Sequence, residues 1–128
     1  SYIADRELRM RLYCRMAELD NEPAMDEMLD ELNERFGPAP TVVHNLLFQL
    51  RVKLRAHRAQ IDTVGSERNM ISLSCPHWEK EGMREKLLAV LPPDTRITRG
   101  KVWLSTRGSS QDWQQRLLRS LDALGDPD

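Results

Sequence analysis

The sequence predicts an α+β domain in which three N-terminal helices lead into a small, mainly antiparallel sheet in ββαββα order. Three observations carry that expectation. Apolar residues recur at helical spacing through about residue 58. The pattern then shortens to strand-like runs at residues 61–75 and 96–105. Gly, Pro or Ser punctuates most of the changes of period.

Asp5 is a fair N-cap for a first helix, whose Leu8, Leu12, Met16 and Leu19 fall on one line. At roughly 100° per residue, Met10, Tyr13 and Ala17 form a second apolar line. This helix is either sandwiched inside the fold, the commoner case, or partly exposed toward a partner. Asn21 and Pro23 mark a second start, since Pro is tolerated in a first turn. Met25, Met28, Leu29, Leu32 and Phe36 make one stripe before Gly37 and Pro38 end that helix. After Pro40, Thr41 is placed to cap a third helix carrying Val43, Leu46, Leu47, Leu50 and Leu54 and running to about Arg58.

Two strands follow, Ile61–Val64 and Asn69–Cys75, around a turn at Gly65-Ser66. A fourth helix is expected from about Glu79 to Leu91, with Met83, Leu87, Leu88 and Leu91 inward, stopped by Pro92-Pro93. Arg96-Ile97-Thr98 and Val102–Ser105 form a second hairpin around Arg99-Gly100. Ser109 and Ser110 cap a last helix, Asp112 completes a pattern like a capping box, and Trp113, Leu117, Leu121 and Leu124 supply its stripe. The two successive ββα units hint at an internal duplication.

The chain has 128 residues, enough for one core, and no linker-like stretch divides it, so residues 1–128 read as a single domain. With 40% hydrophobic and 30% charged residues it has the composition of a globular domain. A net charge of −1 gives no overall field toward nucleic acid or an anionic membrane, and no apolar run suits a membrane span. It opens on Ser1 without an initiator Met or signal-peptide h-region, which reads as an excised piece of a longer polypeptide. Six Met and two Cys suit a reducing cytoplasm, with pairing of Cys14 and Cys75 left open.

The pattern supports no catalytic, cofactor or metal site. The six glycines sit at turns and helix ends rather than in a phosphate-cradling loop. Cys75-Pro76-His77 offers two soft ligands without a second pair, so it reads as a strand end and loop. His44 and His57 read as helix-surface residues, and Cys14, mid-helix, as a packing residue.

Charge, by contrast, is segregated. From Glu18 to Glu34 there are eight acidic residues and no Lys or Arg; from Arg35 to Ile61 there are five basic residues and no acid. On the second helix Glu27, Asp30, Glu31 and Glu34 lie opposite the Met/Leu stripe. On the third, Arg51, Arg55 and Arg58 share a flank onto which Phe48 and His44 also project. Two readings stand: solvated faces paired between neighbouring helices, or docking surfaces. The acidic face suits a partner bearing Arg or Lys; the Arg/Phe face suits nucleic acid or an acidic partner.

Tyr2-Ile3-Ala4-Asp5, followed by Arg9, Leu12, Tyr13 and Arg15 at matching spacing, is similar to the Tyr-Ile-Pro-Asp entry and first helix of the C-terminal domain of the bacterial transcription-repair coupling factors. The strongest match is Glu31-Leu32-Asn33-Glu34-Arg35-Phe36-Gly37-Pro38-Ala39-Pro40; Asn45-Leu46-Leu47 and Arg51…Leu54-Arg55-Ala56 continue it. The match covers about residues 2–64. Tyr13, Arg35, Phe36 and Gly37 carry structural roles in it. Ala4 stands for the family's Pro, Glu34 for Asp, and Ala59-Gln60 where a Gly would end the third helix.

This resemblance implies a cytoplasmic parent that translocates on double-stranded DNA using ATP and Mg in motor domains upstream. That parent would displace stalled RNA polymerase and recruit nucleotide-excision repair through UvrA. The C-terminal domain would be regulatory, with no cofactor, small-molecule substrate or membrane of its own. It would pack on the N-terminal repair module and mask its UvrA-binding surface. The expected contacts are Glu27, Asp30, Glu31 and Glu34, and the competing expectation is an auxiliary nucleic-acid module built on Arg51, Arg55, Arg58 and Phe48.

Overall fold

The computed structural model of the chain describes residues 3–125. Its elements are α1 (Arg6–Ala17), α2 (Glu22–Phe36), α3 (Thr41–Arg58), β1 (Thr63–Glu67), β2 (Met70–Ser74), a short 3-10 helix (Pro76–Glu79), α4 (Met83–Val90), β3 (Arg96–Thr98), β4 (Lys101–Ser105) and α5 (Ser110–Gly125). The fold is α+β, as the periodicity implied, and every strand pair is antiparallel. Two compact units divide at the Leu54–Arg55 bond, within α3.

In the first unit the apolar stripes of three helices form one core. Leu12 and Met16 of α1, Met25, Met28 and Leu32 of α2, and Val43 and Leu47 of α3 are buried in it. Asp5 caps α1 by accepting a hydrogen bond from the Leu8 N–H at 3.1 Å. The second apolar line of α1 is not sandwiched: Met10 is 56% exposed, Ala17 is exposed and Tyr13 half-buried. Asn21 caps α2 through its side-chain oxygen, 2.9 Å from the Ala24 N–H, and Pro23 sits in the first turn where no N–H is needed.

The exit from α2 depends on two residues. Gly37, at φ 86° and ψ −175°, takes a conformation almost closed to other residues, and its N–H donates to the Asn33 carbonyl. The Asn33 side chain then accepts from the Ala39 N–H at 2.9 Å, which holds the turn toward α3. Thr41 is already helical rather than a cap; the Pro40 carbonyl accepts from Val43 and His44 and does the capping. At the other end of α3, Gln60 adopts φ 59° in place of a glycine. Its N–H donates to the His57 carbonyl, and the Ile61 N–H to that of Ala56, the paired bonds of a Schellman ending.

In the second unit the first hairpin turns at Arg68-Asn69, not at Gly65-Ser66. Gly65 lies inside β1 opposite Ser72, where a Cβ would come within 2.8 Å of the Ser72 hydroxyl; the glycine serves close approach, not a turn. Arg68 supplies the left-handed residue at φ 53°. The expected 79–91 helix is shorter. Pro76–Glu79 forms a 3-10 turn, Gly82 at φ 84° breaks the path, and α4 begins only at Met83. Leu87 and Leu91 point inward, but Leu88, about 100° further round than Leu87, is 44% exposed.

The sheet order is β1-β2-β4-β3, so each hairpin contributes its second strand to the centre and is followed by a helix. Alternation gives the sheet two different faces. On one, Ile71 pairs with Leu104, and Leu73 with Val102, which also faces Ile97. Trp113 and Leu117 of α5 line a small cavity with Ile71 and Leu104, which places α5 on this face. Ser109 caps α5, accepting from the Asp112 N–H at 3.2 Å. Ser120 lies in the buried stripe of α5 and satisfies its hydroxyl by donating to the Arg116 carbonyl at 2.8 Å.

These backbone positions predict opposite outcomes at two glycine-like sites. Gly37→Ala should destabilise the chain by about 1–3 kcal/mol. Gln60→Gly should stabilise it by about 1 kcal/mol, because a left-handed non-glycine residue carries a cost of that order. Urea unfolding of each variant, monitored by circular dichroism, checks both signs.

Candidate functional site

Helical geometry sorts the acids of α2 by direction. Taking Met25 as the inward reference, Glu27, Asp30 and Glu34 lie about 140–200° away, while Glu22 and Asp26 flank the stripe on one side and Glu31 on the other. The structure follows that sorting. Glu27, Asp30 and Glu34 are exposed and hold no ion pair among the described residues.

Glu31 is different from its neighbours on that face. It bridges Arg15 of α1 at 3.5 Å and Arg35 of its own helix at 3.7 Å, with its side chain 43% exposed. The Arg35 guanidinium also lies 5.0 Å from the centroid of the Phe36 ring. The acidic face is thus bordered by an Arg15–Glu31–Arg35 chain. All three members are accessible enough for their attraction to be weak and exchangeable. Three unpaired carboxylates beside two loosely held guanidiniums can exchange ion pairs with a partner bearing both signs of charge.

On the opposite flank, Glu22 and Asp26 are engaged. Arg51 of α3 donates from Nη1 to the Glu22 carboxylate at 3.0 Å and from Nη2 to Asp26 Oδ1. Only 19% of the Arg51 side chain and 16% of that of Glu22 is exposed, so this fork holds α2 to α3. Arg55 donates at 3.1 Å to both the Leu118 carbonyl and the Asp122 carboxylate of α5. Of the anticipated basic flank, Arg51 and Arg55 are therefore committed inside the protein, Arg58 and His44 are exposed, and Phe48 is half-buried.

The fork joins residues 29 and 25 positions apart, beyond the reach of helical periodicity. The Glu31–Arg35 pair, by contrast, has the i,i+4 spacing that a charge reading can find. Cys75 is buried, His77 exposed, and both cysteines are free thiols. Among the described residues, no three of His, Cys, Asp or Glu converge as a metal site requires. No helix among them is long and apolar enough to cross a membrane.

The TRCF domain family model matches residues 1–85 of this chain. The transcription-repair-coupling factor of Rickettsia conorii is 31% identical over 88 residues, covering 69% of this chain and 8% of that protein. The factor of Rickettsia prowazekii is 35% identical over 66 residues, 52% of this chain and 6% of that one. The chain thus spans less than a tenth of the length of these relatives. A crystal structure of the C-terminal domain of transcription-repair coupling factor superposes with a TM-score of 0.70 at 20% identity, over 97% of this chain and 82% of the other, a likeness of fold.

The burial of the ion pairs ranks their contributions. Arg51→Ala should destabilise the chain by about 1–3 kcal/mol, since it removes a charge-assisted hydrogen bond to the shielded Glu22 carboxylate. Arg15→Ala should cost less than about 1 kcal/mol. Chemical denaturation of the two variants side by side tests the ranking.

Proposed function

The chain belongs to the TRCF domain family, and on that premise we propose that it is the non-catalytic, regulatory C-terminal domain of a transcription-repair coupling factor. In this reading the parent is a cytoplasmic, ATP-dependent translocase on double-stranded DNA. It displaces stalled RNA polymerase and recruits nucleotide-excision repair. The domain packs on the N-terminal repair module of the same polypeptide and masks the surface that binds UvrA.

One observation carries the docking role. The face made by Glu27, Asp30 and Glu34 stays open, beside a Glu31 shared by two arginines. Autoinhibition requires an interface that forms within the chain and yields when the factor engages polymerase. Exposed ion pairs have that property: each contributes little, several together give orientation, and none strands a buried charge on release. The sequence Glu31–Pro40 both matches the family motif and frames this face, through the Gly37 turn at its end.

The competing nucleic-acid role for the α3 flank has less to draw on. Arg51 and Arg55 already satisfy carboxylates and a carbonyl inside the chain, which lowers the positive charge available to a phosphate backbone.

The test is charge reversal of Glu27, Glu31 and Glu34 to Lys in the full-length factor. UvrA binding and basal ATPase activity should both rise, while the same changes in the isolated chain leave its circular dichroism and cooperative unfolding intact. No change in either activity, with the chain folded, would remove this face as the docking surface.

A further inference from the structure

α5 occupies one face of the sheet, and the opposite face carries a tryptophan set among small and cationic residues. Lys101, Trp103 and Ser105 alternate with the inward Val102 and Leu104 along β4. In register, Trp103 stands between Ser72 of β2 and Arg96 of β3, and Ser72 in turn faces Gly65 of β1. The ring is half-buried; its Nε1–H donates to the Thr98 hydroxyl at 2.8 Å, and the Lys101 ammonium lies 5.7 Å from the ring centroid.

Each of these details bears on what could bind. With its one donor taken, Trp103 has only its π surface to offer a partner. On the β2 side the ring is flanked by the small residues Ser72, which is buried, and Gly65 beyond it. Arg96 and Lys101 are exposed on this face, and Arg68 and Arg99 stand at the two hairpin turns. Glu67 on β1 and Glu79, whose side chain packs on Gly100, are carboxylates at the same hairpin ends. A flat aromatic with flanking cations matches a stacked base between phosphates.

We propose that this face binds single-stranded RNA, with one base stacked on Trp103 and the adjoining phosphates held by Arg96 and Lys101. RNA is favoured over DNA by the paired hydroxyls of Thr63 and Ser74, one step along the sheet. A hydroxyl side chain both donates and accepts, which is what a ribose 2′-OH asks of its partner. This site is separate in residues and in sign of charge from the acidic face of α2, and it does not rest on the docking role.

The experiment is fluorescence anisotropy of the full 128-residue chain with labelled oligouridine, oligothymidine of equal length, a DNA duplex and polyglutamate, at low salt. Saturable binding of oligouridine, tighter than of the other three, is the expected result. Trp103→Ala should weaken it about tenfold, and Trp103→Phe by less than about threefold. Arg96→Ala and Lys101→Ala should each lower the salt slope by about 0.7. If Trp103→Ala fails to fold, the folded Arg96→Glu/Lys101→Glu variant decides: lost binding supports the site and retained binding overturns it. Absence of saturable oligouridine binding, equal affinity for oligothymidine, duplex or polyglutamate, or indifference of a folded Trp103→Ala variant would each overturn the proposal.

Discussion

Burial of Met25, Met28 and Leu32, all at or below 3% exposure, fixes the rotation of α2 about its axis. Everything proposed for that helix follows from this constraint. A helix turns about 100° per residue, so once the stripe faces inward no freedom remains in where the acids point. Glu22 and Asp26 are delivered to α3, Glu31 to α1, and Glu27, Asp30 and Glu34 to solvent. Rotating the helix to present a different face would expose methionine and leucine surface at roughly 2 kcal/mol per side chain. Surface ion pairs, worth well under half of that, cannot compete. Packing sets the direction of the charges, and the charges can only respond.

The same hierarchy explains what could be read from the sequence. Helices α1, α2 and α3 were legible because their apolar residues lie within one or two turns of each other and report the period directly. Asn21, Gly37 and Ser109 were legible as helix ends because their chemistry acts on backbone groups a few residues away. Gly65 misled for a physical reason. Glycine signals a turn when it supplies a positive φ, but here it admits the Ser72 hydroxyl across the sheet, a contact no local pattern reports. Gly82 produced the opposite error, since its αL conformation separates a 3-10 turn from α4 where a single helix was expected.

For the candidate site, the acidic face was legible and the fate of the basic flank was not. Glu27, Asp30 and Glu34 follow from the stripe alone. Arg51 shares the Arg55 flank in sequence, yet Arg51 closes on α2 and Arg55 on α5, partners set by tertiary packing. The role of Arg15 was hidden for the same reason, because its partner Glu31 is sixteen positions away on another helix. In the sequence Trp103 is legible only as a strand residue. Which side of a strand faces the core is decided by the register, and one step of register exchanges the faces.

The near-zero net charge conceals a division that the two units make plain. Residues 1–54 carry ten carboxylates against seven Lys and Arg, whereas residues 55–128 carry twelve Lys and Arg against ten carboxylates. The two proposed surfaces have opposite signs, so a partner of one sign of charge pairs with only one of them. Added salt should weaken the two proposed contacts, but not alike. The acidic face of α2 has only charge to offer and should release fully within the range over which surface ion pairs are screened. Stacking on Trp103 has no net charge to screen, so part of any attraction at the sheet persists when the phosphate contacts are gone. That difference lies in side-chain chemistry alone.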